Sequence, residues 1–177
     1  MLTDRLGLTT RVPGWPVACL RIAFGLLYLD MAWQKAPWII TGGHRFGWLY
    51  GFIEQEIAHP ALPWYAAFLK QVVLPHFTLF GTLTFVTELA LGVGLLLGCF
   101  TRLAGLGGFL WQVNIALGAF NVPGEWYWIW PLLTLPQFCF AFCGAGRVLG
   151  VDGWLEPALR RQAAAGAGWA RPLLYGL

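Results

Sequence analysis

Apolar residues fall in four long runs rather than in a short repeating pattern, at about 15–35, 77–99, 103–120 and 126–144. A bilayer's hydrocarbon core of about 30 Å is crossed by roughly 20 residues of helix. The pattern therefore predicts an all-α membrane protein, a bundle of four transmembrane helices forming one domain over 1–177, with a tail at 145–177. Short connections after the second run make its successors antiparallel neighbours. The first run is too long for a signal-peptide core and no A-x-A site follows it, so it reads as an uncleaved span. Pro131 and Pro136 predict a kink in the fourth span. Gly94 with Gly98, and Ala104 with Gly108, are small residues four apart and predict close helix packing.

The stretch between the first two runs is too long for a plain turn. Leu62, Tyr65, Leu69, Val72 and Val73 share one helical face, giving the long first loop an amphipathic helix. It either lies in the membrane interface or packs on the mouth of the bundle, and acts as a lid in both cases.

Composition supports lipid as the solvent. Only 11% of the 177 residues are charged and 58% are hydrophobic, against about 25% and 45–50% in soluble domains. The 11 tryptophans suit membrane interfaces. A net charge of +3 is too small and dispersed for a nucleic-acid partner. Arg5, Arg11, Arg102, Arg147, Arg160, Arg161 and Arg171 fall on one side of a four-span chain, and Lys35, Arg45 and Lys70 on the other. The positive-inside bias then makes both termini cytoplasmic, with the first loop outside.

Charges inside spans are costly and face the interior. Arg21 lies roughly 9 Å and Glu88 roughly 15 Å from the cytoplasmic face, by helical rise, so an Arg21–Glu88 ion pair is expected. It is either a fold-specifying bridge or a titratable carboxylate beside a substrate cavity. Asp30, nine residues from Arg21, points the opposite way. Lys35 at the span's end snorkels to the interface, or joins His44, His59 and His76 at an outer site. No histidine pair has metal-ligand spacing, so no metal is expected. Cys19, Cys99, Cys139 and Cys143 read as buried core cysteines rather than a redox or metal set. Nucleotide-binding, nucleophile-elbow and haem-attachment motifs are absent from the sequence.

Some short motifs resemble a known family. Leu20-Arg21-Ile22-Ala23-Phe24-Gly25 is followed by Trp33-Gln34-Lys35. Glu88 precedes a Leu/Gly-rich stretch ending Thr101-Arg102-Leu103-Ala104, and Gly144-Ala145-Gly146-Arg147 precedes Asp152. Over roughly residues 18–153 this resembles the DoxX/DoxD family, and the stretch from Trp64-Tyr65 to Pro75-His76 resembles its DoxD branch. The resemblance implies an inner-membrane four-helix bundle associated with thiosulfate:quinone oxidoreductase. It matches Arg21, Lys35, Glu88, Arg102, Arg147 and Asp152 to the family pattern. The functional expectation is a membrane subunit of a quinone-linked oxidoreductase. In it Glu88 and Arg21 act catalytically, Lys35, Asp30, His76 and Arg102 bind substrate, and Arg45 and Lys70 help attract an anion. Quinone is the expected cofactor, and the bilayer and other membrane subunits are the expected partners. The alternative is a non-enzymatic accessory or scaffold subunit of a larger membrane complex, with a small transporter third.

Overall fold

The computed structural model describes residues 13–177, so Arg5 and Arg11, counted above for orientation, lie outside the described residues. The chain is mostly helical. The first run forms α1 (Trp15–Gln34), opened by Pro16 in its first turn, where a missing N–H is harmless. The second forms α4 (Phe77–Leu97), the third α5 (Thr101–Ala119) and the fourth α6 (Ile129–Cys143). Of these, α1 and α4 are long and apolar enough to cross a bilayer, while α6 is apolar but only 15 residues long.

Helix α1 packs along α4, and α5 along α6. Gly25 allows the first approach, because a Cβ there would meet the backbone of Leu96. Phe24, Tyr28, Leu91, Leu95, Ala104 and Phe140 fill the space between the pairs. Outward positions stay apolar: Leu26, Leu79, Leu103, Leu135 and Phe142 are all exposed. Such a continuous apolar exterior has no favourable contact with water.

α6 continues through Pro136. Beside it, the Thr134 hydroxyl donates to the Trp130 carbonyl and Gln137 Nε2 to the Leu133 carbonyl at 2.7 Å, so side chains serve the carbonyls around the proline.

The turn from α4 to α5 is built by two distant charges. Gly98 takes a left-handed conformation, φ 64°, that ends α4. Asp152 then accepts the N–H groups of Phe100 (2.8 Å) and Thr101 (2.9 Å), capping α5. Arg21 donates to the carbonyls of Leu95 (2.6 Å), Leu96 (3.3 Å) and Leu149 (2.8 Å), capping the C-terminus of α4. Helices α7 (Asp152–Ala164) and α8 (Ala170–Leu173) lie at this same end, burying Leu159, Ala170 and Leu177 beside Phe100. Arg102, Arg147, Arg160, Arg161 and Arg171 therefore gather at one end.

The opposite end is more structured than a single amphipathic helix. After α1 comes a hairpin, β1 (Ile40–Thr41) paired with β2 (His44–Arg45) across a Gly42-Gly43 turn with both φ positive. Next come α2 (Leu49–Ala58), α3 (Pro63–Phe68) and a π-helical turn, Leu69–Val73. Tyr65, Leu69 and Val73 are buried with Phe46, Leu49 and Ile53, so this segment packs on the helix ends. Val72, expected on the same face, is exposed. The π turn closes with Leu74 N–H on the Leu69 carbonyl, and that wider turn shifts the helical phase.

Candidate functional site

A cavity of about 700 Å³ lies where α2, α3 and the π turn cover α4, α5 and α6. Most of its wall is apolar, including Leu49, Ile53, Leu69, Phe80 and Ile129. A few polar side chains converge on it.

The most deeply set are Lys35 and Glu88. Lys35 follows the last turn of α1 and is 2% exposed, and Glu88, midway along α4, is fully buried. Lys35 Nζ donates to Glu88 Oε1 at 2.5 Å, and the Trp48 ring lies 5.1 Å from the same ammonium. Trp111 Nε1 approaches Glu88 Oε1 at 3.5 Å. Among the described residues, Glu88 Oε2, Gln112 Oε1 and Trp130 Nε1 are buried without a hydrogen-bond partner. All three residues line the cavity. Unpartnered buried polar atoms are rare and call for an explanation. A ligand carrying both an acceptor and a donor would satisfy all three atoms.

Towards the loop end the wall carries Glu56 from α2, Tyr65 from α3 and Asn114 from α5. Tyr65 donates its hydroxyl to Asn114 Oδ1 at 3.1 Å. Burial pushes the Glu56 carboxyl up to about 7. Burial and the neighbouring Glu56 hold the Tyr65 hydroxyl up to about 12.

The expected Arg21–Glu88 pair does not form, and register is the reason. Gly25 lies against Leu96, and Leu29 against Gly92. Stepping on by four along α1 and back by four along α4 brings Trp33 level with Glu88, which leaves Lys35 the cation in reach. The opposite step brings Arg21 level with Phe100, among the carbonyls it caps. Lys35 accordingly does not snorkel, since a partner is available inside.

Of the residues expected to bind substrate, Lys35 lines the cavity. Asp30 is exposed and accepts from Gln34 Nε2 at 2.6 Å. His76 is exposed at the start of α4. Arg102 is at the arginine-rich end, donating to the Ala141 carbonyl at 3.1 Å. Arg45 donates to the Pro37 carbonyl at 2.8 Å, and Lys70 is exposed. His44 stacks on Tyr50, with ring centroids 3.5 Å apart. The cysteines are not core residues: Cys19, Cys139 and Cys143 are exposed on the helix exteriors and Cys99 is half-buried. A small thiol on a helix face in lipid needs no burial in protein.

Glu56 is the site residue that the hydrophobic pattern passed over. Its signal was present, because an acid at position 56 shares a helical face with Leu49 and Ile53. Gln112, Asn114, Trp111 and Trp130 were legible only as polar or aromatic residues within apolar runs.

The family model described as TQO small subunit DoxD matches residues 15–167. Comparison with curated proteins and with solved structures gives no match.

Proposed function

Because the chain belongs to the DoxD family, a family of membrane oxidoreductase subunits, we propose that its cavity is the quinone site of a thiosulfate:quinone-type oxidoreductase. The observation that carries the reading is the Lys35–Glu88 pair, buried in the wall of a mostly apolar cavity with Glu88 Oε2 left unpartnered among the described residues. A quinone ring suits such a wall, and its oxygens alternate between acceptor and donor as it is reduced. When bound it supplies the two-electron acceptor chemistry.

The protein's part is positioning and charge. Trp130 Nε1 is a free donor for a carbonyl oxygen, and Glu88 Oε2 and Gln112 Oε1 are free acceptors for a hydroxyl. Lys35 holds Glu88 through Oε1, which leaves Oε2 as an acceptor when the ligand gains protons. The apolar loop helices exclude water, which strengthens each of these interactions. Electrons arrive from a reduced sulfur anion through another subunit or a bound carrier.

In this reading α5 and α6 join α1 and α4 as crossings of a bacterial-type inner membrane. The arginine-rich end, with both termini, faces the cytoplasm, and Trp126, Tyr127 and Trp128, all exposed, mark the opposite interface. The family description supports a partner, since it names a small subunit.

The test is extraction of quinone from the chain purified alone in mild detergent. Bound quinone that is lost on Glu88→Gln, in a variant that still melts cooperatively, supports the reading. A chain that carries none by itself, and is indifferent to Glu88→Gln within its assembly, is instead an accessory subunit.

A further inference from the structure

Glu56 has no part in the reading above, and its setting differs from that of Glu88. It is 7% exposed, on α2. Burial raises its proton affinity, and among the described residues no ion pair or hydrogen bond opposes it. The carboxyl is seated on α5 at Gly118, where any Cβ would collide with it, so a glycine makes the room this acid occupies. It lines the same cavity as Lys35 and Glu88. Gly118 is seven residues beyond Trp111, the neighbour of Glu88, which is about 10 Å along α5. One apolar cavity thus holds two buried carboxyl groups at different levels, one with a cation and one without.

The two groups have opposite hydrogen-bonding characters. A carboxylate beside an ammonium accepts, whereas a carboxyl in an apolar wall with no cation keeps its proton and donates. A ring with oxygens on opposite edges, hydrogen-bonded at each, bridges a gap of this size. Resting on the quinone reading, we propose that Glu56 is the cavity's second anchor, a carboxylic acid donating a hydrogen bond to the ligand oxygen farther from Lys35 and Glu88. Its elevation to about 7 makes that donation available below neutrality and withdraws it above.

Other titratable groups face Glu56 from the elements packed against it. Tyr65 from α3 stays neutral, pushed up to about 12. Lys35 from the end of α1 and Glu88 from α4 neutralise each other. Glu125, from the α5–α6 connection, is exposed and lines the cavity, while Lys70 of the π turn and Glu54 and His59, on either side of Glu56, are exposed outside its lining.

The experiment titrates the full chain, in phosphatidylcholine nanodiscs, with a short-tailed benzoquinone, following tryptophan quenching on both sides of pH 7. Wild-type affinity should fall about tenfold as pH rises through about 7, the worth of one hydrogen bond. Glu56→Gln, whose amide still donates, should bind at every pH as the wild type does in acid. Glu56→Leu should bind weakly and without pH dependence. Glu88→Gln reports separately on the quinone reading and should weaken binding at every pH. If Glu56→Gln keeps the wild-type pH profile while Glu88→Gln weakens binding, the Glu56 inference alone is wrong. If wild type takes up no quinone at any pH, both fall.

Discussion

Lys35 and Glu88 hold opposite charges where neither has water to turn to, and each is the other's main reason to remain charged. Removing one partner of such a pair costs about 3–5 kcal/mol, whereas replacing both with apolar groups is often neutral. Lys35→Met should therefore lower the melting temperature in detergent steeply. The double variant Lys35→Met/Glu88→Leu should recover most of the loss. A double variant no better than the single one would mean that the pair is not the unit holding this region. Glu56 makes a second prediction. Its native carboxyl is raised to about 7 from 4.5, so between those values the folded chain keeps a proton that the unfolded chain has released. Stability should fall as pH rises through that window, by about 3 kcal/mol in all. Glu56→Gln should flatten the dependence, measured as melting temperature against pH. Glu88 stood out in the sequence as a lone charge in an apolar run. Its partner did not, because depth along a span locates a residue only to within a long side chain's reach. Which cation wins depends on the stagger of α1 against α4.

At the scale of elements, the long helices were legible because long, predominantly apolar runs admit few alternatives. Their ends moved by a few residues, where capping rather than hydrophobicity decides: Asp152 caps α5 at Thr101, and Trp128 precedes the first turn of α6. The loop was harder to read. α2 is ten residues long and carries Glu54, Gln55 and Glu56, so its apolar face is diluted. The Gly42-Gly43 turn was a visible hairpin signal, but two-residue strands leave no alternating pattern around it. Arg21, expected to act catalytically, and Asp152, matched only to the family pattern, cap two helix ends here. Asp152→Ala should cost about 2 kcal/mol by orphaning the Phe100 and Thr101 N–H groups and leave ligand binding at the distant cavity unchanged. Gly25→Ala should cost about 1–3 kcal/mol by pressing a methyl into the Leu96 backbone. Denaturant titration of each variant in detergent checks both values, and a Gly25→Ala chain as stable as wild type would contradict the close α1–α4 approach.

For the whole molecule, two helix pairs held tight at the arginine-rich end by Arg21 and Asp152 support a cavity at the other end, roofed by the loop helices. The exterior is apolar along the long helices and the interior holds its few ionisable groups, Glu56 apart, in pairs or caps, the inverse of a protein made for water. The division of labour is physical: one end fixes the helices, the other leaves room. The central claim is that the room is where a lipid-soluble, two-oxygen ring binds. Photolabelling with an azidoquinone, followed by peptide mapping, tests it most directly. Labels should fall on cavity peptides spanning 48–56 and 107–115 and be displaced by excess unlabelled quinone. Labels confined to the outward faces, at residues such as Phe142 or Leu135, or undiminished by competitor, would contradict it.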